Sequence, residues 1–400
     1  MNILSAFFIR NKNMKEKYHL LYFLSSLGAG GLMVSFFMFF QFMIPHKGSP
    51  MVTVSHIIDF FNKGSIWIKL GIILNYVLIA FFAFKHLQLL FWNFSELSKF
   101  RKTEAFKKFV NSATGIAQMA RPLTLAMTVN VVVIAAVITI PNLWNYVEIL
   151  FPIEIIILVL IGIQAMVIFG KHMGRIILHG DADFVNGNNL SQVLSSFAFA
   201  MIAVGFSAPG AMSHHPQVNA IAYFFAILFL TLSVLVGFLK FILGMRAIFE
   251  KGIDWTAGPT LWLAIPILTL FGITITRLLF GLEHHAETPF PHALLYLLAA
   301  FVVSLQLLNL GAGYYVMRHT NYLKKYVSGS ERTVGSLSLI CPGVAFVIYG
   351  YFAINYGMVM NHLFDKFSTP YFVFVAILLV VQIVTVVTFF KLNKKLLYDK

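Results

Sequence analysis

The sequence predicts an all-α integral membrane protein of ten transmembrane helices, and three observations carry that reading. Ten long apolar stretches run through the chain, at about 18–44, 66–90, 117–140, 149–170, 190–210, 218–245, 258–282, 291–317, 334–358 and 369–392. Each holds the roughly 20 residues that a helix needs to cross the hydrocarbon. Hydrophobic residues make up 59% of the chain and charged residues only 11%, which excludes an ordinary soluble domain. Finally, 24 of the 29 basic residues fall in the N-terminal segment and every second gap thereafter. The other five are Lys47, Lys63, Lys69, Arg277 and Lys366.

Positive charge is retained on the cytoplasmic side during insertion. The alternation therefore predicts a multi-pass protein of a bacterial-type inner (plasma) membrane with both termini cytoplasmic. It also accounts for the net charge of +14 without nucleic acid, leaving the lipid bilayer as the partner of the basic loops. Cys341 is the single cysteine, so no intrachain disulfide or Cys-rich metal site is expected. The apolar run Ile3 to Ile9 is followed by Asn and Lys, so the first span, not a removable leader, is the expected insertion signal.

Residues 1–400 read as one transmembrane domain of five helical hairpins, 18–90, 117–170, 190–245, 258–317 and 334–392. Odd and even spans differ in chemistry. Span 1 carries Ser25, Ser26, Gly28, Gly30 and Gly31; span 3 carries Arg121, Pro122, Thr124 and Thr128. Span 5 has Ser195, Ser196 and Ser207, span 7 has Pro266, Thr269 and Gly272, and span 9 has Ser336, Ser338, Cys341, Pro342 and Gly343. Even spans are greasier, although Asn75, Gln164, Gln306 and Asn309 interrupt them. Hydroxyls and freed carbonyls gain nothing from hydrocarbon, so odd spans are expected to form an inner ring wrapped by the even ones. Small residues also serve simple close packing, and the alternation supports an inner layer more directly than an open pore.

Between spans 2 and 3, residues 94–110 place Phe94, Leu97, Phe100, Phe106 and Phe109 among lysines and arginines. That spacing suits an amphipathic helix on the cytoplasmic lipid surface, or equally a solvated connector. Pro266 and Pro342 each remove a backbone donor and are expected to bend spans 7 and 9, either narrowing a conduit or adjusting packing.

Thirteen histidines raise a metal or haem reading. All fall near predicted span ends or in loops, so no membrane haem pair is expected. His214-His215 and Glu283-His284-His285 have metal-ligand chemistry, but adjacent histidines diverge on most backbones and read as polar loop residues; no metal and no cofactor is expected. No acidic residue occupies the centre of a span, with Glu148 and Glu154 flanking the start of span 4. Coupled cation carriers hold a carboxylate within the membrane, so a cation pump is disfavoured. Anion passage needs only hydroxyl donors, helix dipoles and a positive mouth, for which Arg121 and Arg277 are the candidates, although Arg121 reads more simply as another retained positive residue.

Several segments together resemble the slow-anion-channel and tellurite-resistance/dicarboxylate transporter (TehA-like) family. Arg121-Pro122-Leu123-Thr124 resembles the family's entrance to its third helix, and Val193 to Met201 its small-residue fifth helix. Gly258-Pro259-Thr260 with Pro266 is similar to its proline-bearing seventh helix, and Ser338-Leu339-Ile340-Cys341-Pro342 to a ninth-helix Ser-x-x-Phe-Pro segment. The resemblance implies quasi-fivefold inner and outer rings, a pore lined by odd helices and blocked by phenylalanine, and a trimer. This chain has Cys341 where the family has that phenylalanine, so Leu339 or Phe346 becomes the expected constriction.

The reading is of a non-enzymatic channel or transporter for small inorganic or organic anions. Its expected lining is Ser25, Ser26, Thr124, Thr128, Ser195, Ser196, Pro266, Thr269, Ser338, Cys341 and Pro342. Leu339, Cys341 and Phe346 are the candidate gate, and Arg121 and Arg277 the attracting charges. Two rivals are a non-conducting membrane subunit of a quinone- or haem-linked redox complex, and a secondary carrier of organic acids.

Overall fold

A computed structural model describes residues 11–179, 189–285 and 289–398. All regular secondary structure among them is helical: α1 (Phe23–Met43), α2 (Val54–Lys63), α3 (Ile66–Phe100), α4 (Glu104–Val110), α5 (Ala120–Thr139), α6 (Val147–His179), α7 (Leu194–Met212), α8 (Pro216–Lys251), α9 (Ala264–His285), α10 (Ala293–His319), α11 (Ile340–Phe352) and α12 (Thr369–Asn393). With the 3-10 and π turns that extend them, all but the short α2 and α4 are long and apolar enough to cross a membrane, making ten such segments. This is an all-α, multi-pass membrane protein.

Burial separates the ten into two layers. The segments containing α1, α5, α7, α9 and α11 are 89%, 50%, 100%, 56% and 83% buried over their most apolar windows. Those containing α3, α6, α8, α10 and α12 are 22%, 33%, 28%, 22% and 28% buried. The inner five pack α1 on α5, α5 on α7, α7 on α9, α9 on α11 and α11 on α1, a closed circuit. Each outer helix packs on the inner helix before it in the chain. Leu160, Phe238 and Val380 on outer helices are 62%, 69% and 61% exposed, a surface that acyl chains cover.

Every inner helix enters through a tighter turn. The 3-10 segments Leu20–Tyr22, Ala113–Met119, Ser191–Val193, Trp255–Trp262 and Val334–Leu339 run into α1, α5, α7, α9 and α11. Three of them exceed the usual three or four residues of a 3-10 run. Pro122, Pro266 and Pro342 each stand third in the α-helix that follows. There the missing donor costs little, because first-turn N–H groups lack intrahelical acceptors in any case. The expected bends at Pro266 and Pro342 are thus replaced by a 3-10 to α junction.

Glycines allow close contacts within the inner ring and between the layers. A Cβ on Gly28 would meet Ile340 at 2.8 Å and one on Gly31 would meet Val344 at 2.8 Å, so side chains of α11 rest directly on the backbone of α1. Gly205 does the same against Leu158 of α6, at 2.9 Å.

The connector differs from the expectation of one amphipathic helix over 94–110. Residues 94–100 are the last turns of α3, residues 101–103 turn, and α4 restarts with the Thr103 hydroxyl accepting from the Phe106 N–H at 3.3 Å. Phe100 packs on Phe106 and Phe109 with ring centroids 5.4 and 6.1 Å apart, and on Tyr18 at 5.9 Å. The aromatic stripe folds back onto the N-terminal segment. Glu96 anchors that segment, accepting the N–H groups of Asn13 and Met14 at 3.1 and 2.7 Å and the Lys99 ammonium at 2.7 Å.

Candidate functional site

The polar side chains of the inner helices divide into two sets by where their hydroxyl protons go. Ser25, Ser195 and Ser338 donate to the carbonyls of Tyr22, Gln192 and Gly335 at 2.7, 2.9 and 2.7 Å. These acceptors belong to the 3-10 entrances, whose carbonyls the α ladder does not fully use. Thr124 likewise returns to Ala120 at 2.8 Å and lies 3.2 Å from the Phe23 carbonyl of α1.

The second set ties inner helices to outer ones. Ser26 donates to the His86 carbonyl of α3 at 2.8 Å. Thr128 donates to Thr124 at 2.9 Å while lying 2.9 Å from His86 Nε2. Ser196 donates to Ser233 of α8 at 2.7 Å. Thr269 donates to the Ala345 carbonyl at 3.0 Å and accepts from Gln306 of α10 at 2.7 Å. Ser35, in turn, accepts from Gln382 of α12 at 3.0 Å. A hydroxyl has one proton to give. All eight expected lining hydroxyls give theirs to protein acceptors, so the expectation of hydroxyl donors aimed at a conduit is corrected: Ser25, Thr124, Ser195 and Ser338 secure their own helix entrances, while Ser26, Thr128, Ser196 and Thr269 join the two layers.

Helix geometry locates the face that remains. Successive residues turn by about 100°. On α11, Gly343 abuts Thr385 and Gly350 abuts Leu378 of α12, which marks the outer side. Ile340 and Val344 face α1, while Tyr349 faces Gly272 of α9. The side left over, between α1 and α9, carries Cys341, Ala345, Ile348 and Phe352. Cys341 is buried, at 5% exposure, and free. Leu339 and Phe346 fall within about 60° of the Gly343 direction, on the outer half. Neither is placed to block an axis, and Cys341 alone of the candidate gate points inward.

The same construction on α7 sets Ser196, Phe199 and Phe206 toward α8, where Phe206 stacks on Phe225 and Phe229 at 5.2 and 5.9 Å. The opposite side holds Phe197, Met201 and Val204. On α1, with Ser26 toward α3, Gly30 toward Met127 of α5 and Gly31 toward α11, the inward side holds Leu27, Val34 and Met38. On α1, α7 and α11 the inner faces are apolar apart from one thiol.

The charged exception is Arg277, half-buried in α9, whose guanidinium donates to the Val204 carbonyl of α7 at 3.1 Å. It lies in electrostatic range of Glu154 on α6 and Tyr356 beyond α11. Glu154, expected at a span boundary, stands inside α6 one turn before Leu158, which packs on Gly205. Arg121, second residue of α5, is half-buried at the other end of the ring. Its Nε is enclosed with no hydrogen-bond acceptor among the described residues. Pro266 and Pro342 are buried at the helix entrances.

Sequence reasoning missed His86. The span was expected to stop near residue 90, but α3 continues to Phe100 and encloses this side chain completely. Its Nδ1 lies 2.8 Å from the Ser26 carbonyl and its Nε2 meets Thr128, so both ring nitrogens are engaged. The interruptions in even spans were the signal that inner–outer bonds exist: Asn75 donates to Phe36 at 3.2 Å, and Gln306 reaches Thr269. Outside the spans, His19 caps the entrance to α1 through Nδ1, which accepts the Leu21 N–H at 3.1 Å. Burial holds its pKa below the ordinary imidazole value.

Among the described residues no three His, Cys, Asp or Glu side chains are grouped to hold a metal ion. Compared with known proteins, the chain matches no family model, no curated protein and no solved structure.

Proposed function

We infer that ten apolar crossings, arranged as a closed inner circuit inside an outer layer, form a protein of the channel or transporter type. We propose that this protein passes small anions along the inner faces of α1, α5, α7, α9 and α11, in the manner of the slow-anion-channel and tellurite-resistance family that its segments resemble. The observation that carries this reading is Arg277. Its guanidinium is held at the Val204 carbonyl between two neighbouring inner helices, and a fixed cation at that depth is costly unless it serves a solute or a partner.

In this proposal the apolar faces around Phe197, Met201, Cys341 and Ile348 form a constriction closed to water, which opens by small rotations of the inner helices. Hydrophobic constrictions of this kind gate by dewetting. Selectivity comes from the guanidinium and from the cost of desolvation, since the hydroxyls are committed elsewhere. Glu154 offsets part of the Arg277 charge at rest. The test is a flux assay in liposomes with chloride, nitrate, formate, malate and tellurite. Anion flux that falls with Arg277→Gln supports the reading; a protein inert toward every anion in the panel removes it.

A further inference from the structure

We propose that His214 and His284 form a two-imidazole site for a divalent transition-metal ion, zinc or nickel in chemistry, that bridges the ends of α7 and α9. The two histidines stand at the ends of neighbouring inner helices, on the face opposite the described chain ends. Their ring centroids are 5.3 Å apart with planes at 65°. Two imidazoles bound through nitrogens about 2.0–2.1 Å from one tetrahedral ion bring their centroids about 5 Å apart. The rings already have the spacing that such an ion requires.

Both arms of the pair are held from behind. The Glu148 carboxylate of α6 accepts the Ser213 hydroxyl at 2.7 Å and the His214 N–H at 2.7 Å, which fixes the turn after α7. On the α9 side, His285 packs on His284 at 4.7 Å and turns its Nε2 to the Ala211 carbonyl of α7 at 3.2 Å. Glu148 also acts electrostatically on His214, His215 and His285. A carboxylate near the pair favours cation binding through its charge, and it fixes the backbone that carries His214 and not the ring itself. With two protein ligands and water completing the coordination, the site is exchangeable, unlike a closed four-ligand structural centre. An ion here ties α7 to α9 at the ring's mouth, on the helix pair that Arg277 already links.

The experiment titrates ZnCl2 and NiCl2 into the detergent-purified, chelator-stripped full chain by calorimetry, and reads the melting midpoint in parallel. The wild type is expected to bind one ion per chain and to melt higher with metal. His214→Ala or His284→Ala should each weaken binding at least as much as the roughly 10–100-fold that outer-shell partners cost, and should abolish the midpoint shift. His319→Ala, at the far end of α10, should leave both unchanged. Both histidines are exposed, so the variants keep their fold and their metal-free melting midpoints. Unchanged binding by the double variant, or no saturable binding by the wild type, overturns the proposal.

Discussion

Ser196 and Ser233 exchange hydrogen bonds across the two layers: Ser196 Oγ donates to the Ser233 carbonyl at 2.7 Å, and Ser233 Oγ returns to the Ser196 carbonyl at 2.9 Å. Gly237, one turn on, leaves the room for this, because a Cβ there would lie 2.6 Å from Ser196 Oγ. Each serine therefore gives its proton to the helix opposite. A double-mutant cycle of Ser196→Ala and Ser233→Ala should give a coupling of about 0.6–1.7 kcal/mol in unfolding from detergent. A coupling of zero would mean that the pair contributes only shape.

The seam between α1 and α11 makes a sharper demand. Gly31→Ala places a methyl 2.8 Å from Val344 and should destabilise the fold by about 1–3 kcal/mol, the usual cost of overpacking. Gly71→Ala in the outer helix α3 meets nothing within 4 Å and should be neutral. Thermal unfolding of the two variants side by side checks the contrast.

For permeation, the charges at Arg277 make opposite predictions. Arg277→Gln should lower anion flux several-fold, by removal of the attracting potential. Glu154→Gln removes the carboxylate that acts on Arg277 and should raise flux. If both variants move flux in one direction, the charge account is wrong.

The constriction is tested by position on α11. Ile348→Ala, on the inward side, should increase conductance in planar bilayers. Phe346→Ala, on the outer half, should leave it at the wild-type level. The reverse result would restore the reading in which Phe346 blocks the axis.

Acid should loosen the α1 entrance. His19 is neutral when it accepts the Leu21 N–H, and burial lowers its pKa in the folded protein. A depressed imidazole pKa adds stability above the unfolded value of about 6.5, and that stability is lost as pH falls through the folded value. The melting midpoint should therefore drop between about pH 7 and pH 5. His19→Asn, which keeps a neutral acceptor, should flatten that drop.

The number of crossings and the division into layers were legible in the sequence because both follow from solvent. Apolar length answers to bilayer thickness, and a hydroxyl or glycine in a span answers to what a neighbour, not lipid, can accept. Asn75 and Gln306 were visible as interruptions in otherwise apolar runs, and each does reach an inner helix. What Ser26, Ser196 and Thr269 do was not legible, since a hydroxyl at a given position reads alike whether its proton goes outward, inward or to its own helix. Only the rotation of each helix against its neighbours decided that. That rotation is set by contacts distant in the chain, such as Gly28 on Ile340 and Gly343 on Thr385. The approach of His214 to His284 was hidden for the same reason: it depends on two helix ends meeting in space. Composition and periodicity determined that this chain lives in a membrane as two layers. Tertiary packing decided which side chains those layers turn toward one another, because that choice rests on distance and not on residue type.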